Sequence, residues 1–259
     1  AIEEFKSISD WRDSAELISI CQQKDGEKTI ALKKRRKNVY ILAAVAALAI
    51  VVIIAASSII SYVGILQQAK ASVSDAKVGS IVTFGTYTEE SDTLEKSKID
   101  WRVLAKEDDR ILVISSRIID AMPYHNVSDV DVTWETCSLR KWLNGTFINS
   151  AFNSAEKKLI IESEVLTEKA SYSDTDPGNK TKDKIFLLSE SEFEKYLHSD
   201  GSCFATNYAT EKTAKGYSTY LYSWWLRSPG ASPYSASDVF ISTSDVDSTF
   251  AAYPNNGVR

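Results

Sequence analysis

From Asn38 to Ala69 the chain carries no charged side chain, and no other feature restricts its possible folds as much. Residues 39–66 are dominated by Ile, Val, Ala and Leu. A run of about 20 apolar residues crosses the hydrocarbon core of a bilayer, so this one spans with length to spare. Five cations, Lys33-Lys34-Arg35-Arg36-Lys37, stand immediately before it. By the positive-inside rule they place residues 1–38 in the cytoplasm and residues 70–259 outside. Tyr40 and Tyr62 sit near the two ends of the run, where amphipathic rings prefer the interface. A secretory signal has a shorter apolar core, closer to the start. The expectation is a single-pass plasma-membrane protein with a transmembrane helix over residues 39–66. Residues 25–38 form a basic juxtamembrane segment, a topology signal that also suits anionic lipid, so the lipid bilayer is one partner.

Upstream, residues 1–24 place Ile2, Phe5, Ile8, Trp11, Ala15, Ile18 and Cys21 at three- and four-residue steps, a helical period. Ser9-Asp10 is positioned to cap the second of two short helices. The pattern resembles one helical-hairpin unit of tetratricopeptide-like repeats. A lone unit cannot bury its apolar face, so either the helix packs on a partner or the chain is a piece of a longer cytoplasmic array. The opening Ala1 in place of Met accords with the second.

Past a linker at residues 67–77, the outer domain occupies residues 78–259. Residues 78–87 and 99–105 read as strands, and residues 110–115 pair with the second across Glu107-Asp108-Asp109. A helix follows with Leu139, Trp142, Leu143 and Phe147 on one face. Asn153 with Glu156, and Ser189 with Glu192, have capping-box spacing; the second opens a helix holding Phe193, Tyr196 and Leu197. Residues 160–167 and 185–188 read as short strands separated by a polar loop over 170–183. Residues 223–227, 238–243 and 246–251 read as closing strands. Strands first, helices in the middle and strands last make an α+β plan with a mostly antiparallel sheet and two or three helices.

Residues 70–259 hold 21 Lys and Arg against 28 Asp and Glu, a net charge of −7. Without a basic stripe there is nothing to neutralise phosphates, and nucleic acid is not an expected partner. Cys137 and Cys203 alone could share an oxidising compartment; two free thiols are the plainer expectation and a bridge the alternative. His125 and His198 are the only histidines, and neither zinc spacing nor a nucleophile elbow is present. Asp129 with Asp131, and Asp245 with Asp247, alternate as calcium ligands do, but lack the glycine and glutamate of a calcium loop. No enzyme activity, cofactor or metal is expected.

Four stretches carry a family resemblance: Val78-Gly79-Ser80-Ile81-Val82-Thr83-Phe84-Gly85; Ile99-Asp100-Trp101-Arg102-Val103-Leu104; Thr133-Trp134-Glu135-Thr136-Cys137-Ser138-Leu139-Arg140-Lys141-Trp142-Leu143-Asn144; and Ser223-Trp224-Trp225-Leu226-Arg227-Ser228-Pro229-Gly230. Gly257-Val258-Arg259 matches the start of a closing motif. Residues 76–259 so resemble a bacterial family of domains of unknown function, family 6273, related in fold to C-type lectins. The resemblance implies a C-type-lectin-like fold whose first and last strands pair and whose long irregular region displays loops; with the closing strand apparently missing here, residues 78–87 are expected to lack their neighbour. It implies no activity. Some related folds host formylglycine-generating enzymes, which need a reactive cysteine pair; Cys137 and Cys203 stand in other contexts. Adjacent residues of a strand point to opposite faces, so Trp224 and Trp225 cannot form one platform. Core packing by both, with Arg227 anchoring a loop, is the favoured reading.

The tail is the most suggestive region. Between Gly230 and Asn256 there is no Lys, Arg, Glu or His, while Ser occurs six times alongside two Tyr and two Phe. Small polar residues with aromatics are the composition of paratopes. They are also what randomising asparagine codons at their adenines produces, as diversity-generating retroelements do in lectin-like variable proteins. An ordinary Ser- and Asp-rich hairpin has the same composition. On residues 238–243, alternation sets Val239, Ile241 and Thr243 toward the core and Asp238, Phe240 and Ser242 outward. The expected ligand-facing patch is therefore Tyr234, Ser235, Asp238, Phe240 and Ser242. Its ligand would be an extracellular protein or glycan, bound by a membrane-anchored recognition domain. The alternative is a sensor or structural protein coupling the outer domain to a cytoplasmic partner.

Overall fold

The computed structural model describes residues 14–88, 95–198, 200–214 and 221–259. The expected helical period and cap within residues 1–13 lie outside the described residues. Two compact units divide the chain, residues 1–63 and residues 64–259.

One helix, α1 (Ser14–Asp75), runs unbroken through the apolar segment. Its apolar stretch has a mean hydropathy of 3.0 and no burial against the rest of the chain, which makes it long and apolar enough to cross a membrane. Both the juxtamembrane segment and the linker expected over residues 67–77 are helical, as far as Asp75. Proline is absent from α1, and the Gln-Gln-Ala-Lys-Ala stretch at its end is made of strong helix formers, so an Ala/Ser/Lys composition continues the helix. Lys106 donates its Nζ to the carbonyls of Ser74 (2.6 Å) and Ala76 (3.1 Å), answering the open acceptors of a helix C-terminus.

In the second unit, β1 (Ile81–Thr88), β2 (Lys96–Glu107) and β3 (Arg110–Ser115) form an antiparallel three-stranded sheet in that order. The β2–β3 hairpin turns at Asp108-Asp109 as the sequence predicts. The β1–β2 register slips between Thr83 and Thr86. Gly85 sits in this bulge with φ +74°, and a Cβ there would run into the Phe152 ring and the Ala151 carbonyl. Only glycine meets both demands.

The main sheet holds β4 (Asp120–Ala121), β7 (Ser223–Pro229), β8 (Ser235–Phe240), β9 (Val246–Phe250) and β10 (Gly257–Val258), in the order β4-β10-β7-β8-β9. Every pairing in it is antiparallel except β10 with β7. The last strand therefore lies inside the main sheet, while β1 pairs with β2 among the described residues. A small ribbon joins β5 (Ser163–Val165) to β6 (Thr181–Asp183). The fold is α+β with mostly antiparallel sheets.

Helix α2 (Ser138–Trp142) passes through a π-helical turn (Leu143–Phe147) into α3 (Ile148–Ala151). It buries Leu139, Leu143 and Phe147 as expected, and leaves Trp142 partly exposed. Both capping boxes form. Asn153 Oδ1 accepts from the Glu156 amide (3.0 Å) while Glu156 accepts from the Asn153 amide (2.8 Å), opening α4 (Glu156–Leu159). Ser189 and Glu192 do the same for α5 (Glu190–Leu197). Residues 185–188 are not a strand: Leu187 and Leu188 are buried, but their carbonyls accept from the Arg227 side chain (2.7 Å) and amide (2.8 Å) rather than from a ladder. A helix without an apolar period, α6 (Asn207–Ala214), is present, and Thr206 Oγ1 accepts from the Ala209 amide (3.2 Å) at its start.

The core lies on both faces of β7. Trp225 and Ala236 pack with Tyr124, Trp134, Leu139, Leu143 and Phe147. Trp224, Leu226 and Val239 pack with Ile118, Phe193 and Leu197. The two adjacent tryptophans thus point to opposite faces, and neither is exposed.

Candidate functional site

The five residues expected to face a ligand are not brought together. Phe240 lies six positions after Tyr234, about 20 Å along an extended chain. Ser235 and Asp238 are buried. The Ser235 hydroxyl accepts from the Ser232 amide (2.9 Å) and lies 3.1 Å from Ser248 Oγ, so it ties a turn. Asp238 accepts from Asn256 Nδ2 (2.8 Å) and Thr249 Oγ1 (3.1 Å). Burial raises its pKa, and these donors only partly oppose that. Phe240 is half-buried, opposite Ser223, and Ser242 is exposed in the turn that follows. The reason is topological. Strand β8 lies between β7 and β9, with both faces covered, so alternation there selects one core cluster or another instead of core or solvent.

Tyr234 is the exception, and its surroundings supply a different patch. Its ring stacks on Phe250 with centroids 5.6 Å apart and planes 7° from parallel. Phe250 is 62% exposed and Tyr234 38%. Backbone hydrogen bonds gather three segments here: Val132 N to Pro233 O (2.8 Å), Ala251 N to Tyr234 O (3.0 Å) and His125 N to Ala251 O (2.8 Å). These segments also expose Val127, Val130 and Tyr253. Composition marks Phe250 and Tyr253 only as members of the Ser- and aromatic-rich tail and does not separate them from its other residues. The signal that could have found them is the order of the sheet, which makes β9 an edge.

His125 fastens this end to α2. Its Nδ1 accepts from the Ser138 amide (3.2 Å) and lies 3.2 Å from Ser138 Oγ, which in turn accepts from the Asn126 amide (3.2 Å). Burial, then the nearby Lys141 charge, lowers the histidine pKa, which keeps Nδ1 free to accept. Among the described residues no carboxylate is hydrogen-bonded to this ring, so the Ser138–His125 pair lacks the group that orients a nucleophile's base. Cys137 caps α2, accepting from the Arg140 amide (3.3 Å). Burial pushes its thiol up to about 12, so it stays protonated at neutral pH, the reverse of an activated cysteine. Cys137 and Cys203 are free. No group of three or more His, Cys, Asp or Glu suited to a metal occurs among the described residues.

Arg227 acts as an anchor. Its guanidinium is ion-paired with Glu192 and donates to the carbonyls of Leu187 (2.7 Å) and Leu166 (2.7 Å), joining β7 to α5 and to the segment after β5. An open cleft of about 420 Å³ beside it is lined by Glu164, Phe186, Lys195 and Tyr196. A second junction, not foreseen, centres on buried Asp120, which accepts from Tyr87 (2.7 Å) and Lys212 (2.6 Å).

A family model described as a domain of unknown function (DUF6273) matches residues 108–259. The chain belongs to this family. The DUF6273 match opens in the β2–β3 turn and takes in the whole main sheet and the aromatic end. Two of the stretches that suggested the family, residues 133–144 and 223–230, fall inside it, while residues 78–85 and 99–104 precede it. No curated protein matches the chain, and no solved structure does.

Proposed function

We propose that this chain is a membrane-anchored recognition module whose DUF6273 domain binds an extracellular protein or glycan through the aromatic end. In this reading α1 crosses the membrane over residues 39–66, residues 1–38 are cytoplasmic, and the domain is C-type-lectin-like, with irregular loops displayed beside an antiparallel sheet. The observation that carries it is the exposed Tyr234–Phe250 stack. Two rings held parallel in the open forgo hydrophobic stabilisation that a covering ligand would restore, and rigid aromatics make effective contact residues. If a retroelement diversifies the tail, tolerated changes would concentrate at Tyr234, Phe250 and Tyr253, because Ser235 and Asp238 are structural.

The test presents the full chain in proteoliposomes to arrays of glycans and of secreted proteins. Binding should weaken by about 1–2 kcal/mol in Tyr234→Ala and in Phe250→Ala, as at hot-spot aromatics. It should persist in Phe204→Ala, whose ring is 85% exposed elsewhere. Loss in all three, or in none, removes this assignment. Protease added to intact cells should cleave residues 70–259 and spare residues 1–38; the opposite pattern reverses the topology.

A second reading is favoured by the continuity of α1 itself. A helix unbroken from Ser14 to Asp75 has the mechanical continuity that a sensor coupled to a cytoplasmic partner requires.

A further inference from the structure

On α1 the five cations before the apolar run are not equivalent. At 100° per residue, Lys33, Arg36, Lys37, Tyr40, Ile41 and Ala44 fall within an arc of about 140°, and these six line one shallow groove of the helix surface. Arg35 points to the far side of the helix and Lys34 lies about 20° past Ile41, at the edge of the arc; neither lines the groove. The three cations of the groove occupy about 6 Å of helix axis, the dimension of a single phosphate-bearing headgroup. Tyr40 follows one turn later, and aliphatic side chains continue the stripe. Between Glu27 and Asp75 there is no acidic residue, so no carboxylate lies at the three- or four-residue spacing that would neutralise these cations along the helix.

We propose that this groove is a binding site for one anionic glycerophospholipid. Lys33, Arg36 and Lys37 hold the phosphate and headgroup, Tyr40 lies at the glycerol level, and an acyl chain runs along Ile41 and Ala44. The inference rests on the reading that α1 crosses a membrane. Charge selects the headgroup, because cations beside a bilayer favour anionic lipid. The aliphatic continuation selects a lipid over a soluble phosphate, since only a lipid covers Ile41 and Ala44. The arrangement on one face makes it a site, where a ring of cations would make only a collar.

The experiment uses the full chain reconstituted in nanodiscs of phosphatidylcholine with a minority of phosphatidylglycerol. Both leaflets are alike, so the direction in which α1 threads does not enter. Lipids retained by the released protein are counted by native mass spectrometry. Phosphatidylglycerol should be retained over its bulk fraction by at least about fivefold, the effect of one interfacial cation. Enrichment should fall toward unity in the triple variant K33Q/R36Q/K37Q and persist in K34Q/R35Q. Soluble glycerol phosphate should not displace the lipid. Equal retention of the two lipids by the native chain overturns the site. Equal loss in both variants overturns it in favour of a collar, and displacement by glycerol phosphate overturns it in favour of a free-anion site. A chain that fails to enter the discs at all sinks the spanning reading, and the site with it.

Discussion

Strand β7 and the end of strand β9 both carry large aromatic side chains, and they use them in opposite ways. In β7 the Trp-Trp-Leu-Arg string is buried along its whole length, because the strand has neighbours on both edges and a core cluster on each face. At the end of β9 the neighbours run out, and Phe250 stands in the open against Tyr234. Residue type does not separate the two cases; position in the sheet does. A large aromatic at the centre of a sheet stabilises the fold, whereas one at an edge, held by a stacking partner, is available to a ligand.

The largest effect is expected at the centre. Trp225→Ala removes a fully buried ring that packs against Tyr124 (centroids 5.6 Å apart) and donates to the Met122 carbonyl (2.8 Å). It should cost about 3–5 kcal/mol, the range for deleting a buried large aromatic. Denaturant unfolding of the purified chain measures it, and a loss below about 1 kcal/mol would place Trp225 outside the core. Trp142 is only partly buried, so its removal should cost less than that of Trp225, toward or below the lower end of that range.

Arg227→Met tests the other half of the string. The residue is 2% exposed and its guanidinium is paired with Glu192. Removing one partner leaves the carboxylate without its cation and two carbonyls without a donor. A loss of about 3 kcal/mol is expected, the lower end for breaking a buried pair, since Glu192 is less deeply covered. Arg227→Met with Glu192→Leu should recover part of it; if the double variant is no better than the single, the pair is not the source of the cost.

How much of this was legible in the sequence follows from the same contrast. The apolar run, the β2–β3 hairpin, the capping boxes and the opposed tryptophans rest on neighbours a few residues apart, and all are found. Alternation along the chain misplaces Asp238, because its environment is set by β7 and β9, the strands on either side of β8. Residues 185–188 are as apolar as a buried strand, but the Leu187 and Leu188 carbonyls serve Arg227, some 40 residues onward in the chain. The helical linker before Asp75 is a matter of propensity, where Ala and Lys suited a helix as well as a tether. The family was legible because its Trp-Trp-Leu-Arg string is central, whereas the exposed aromatic end depends on which strand forms the edge.

A smaller effect, readable through pH, belongs to Asp238. Its pKa is raised in the folded state, chiefly by burial, so folding favours the protonated form. The associated stability is fully present below the ordinary carboxylate range and declines as pH rises through the raised value. Asp238→Asn should flatten that decline, and His125 acts in a separate window. Its pKa is lowered, so its contribution is present above the ordinary histidine value of about 6.5 and is lost as pH falls through the depressed one. Unfolding titrations of the native chain, Asp238→Asn and His125→Gln separate the two windows. An unchanged slope in Asp238→Asn would show that the carboxyl is not the group responsible.

The smallest effect on stability is expected where the largest effect on binding is proposed. Phe250→Ser removes a ring that is mostly in solvent, at the end of an edge strand, stacked on the Tyr234 ring. Losing that contact should cost no more than the worth of an exposed aromatic pair, about 0.5–1.5 kcal/mol, and less apolar area would be left open to water. The transition midpoint should therefore move far less than in Trp225→Ala. A cost approaching that of the buried tryptophan would mean that Phe250 is a core residue whose exposure is only apparent. Edge and centre would then be the same environment, and the case for ligand binding at the aromatic end would lose its premise. A small cost, with Tyr234 becoming more accessible to a soluble fluorescence quencher in Phe250→Ser, would establish the two rings as a preformed and independent surface element.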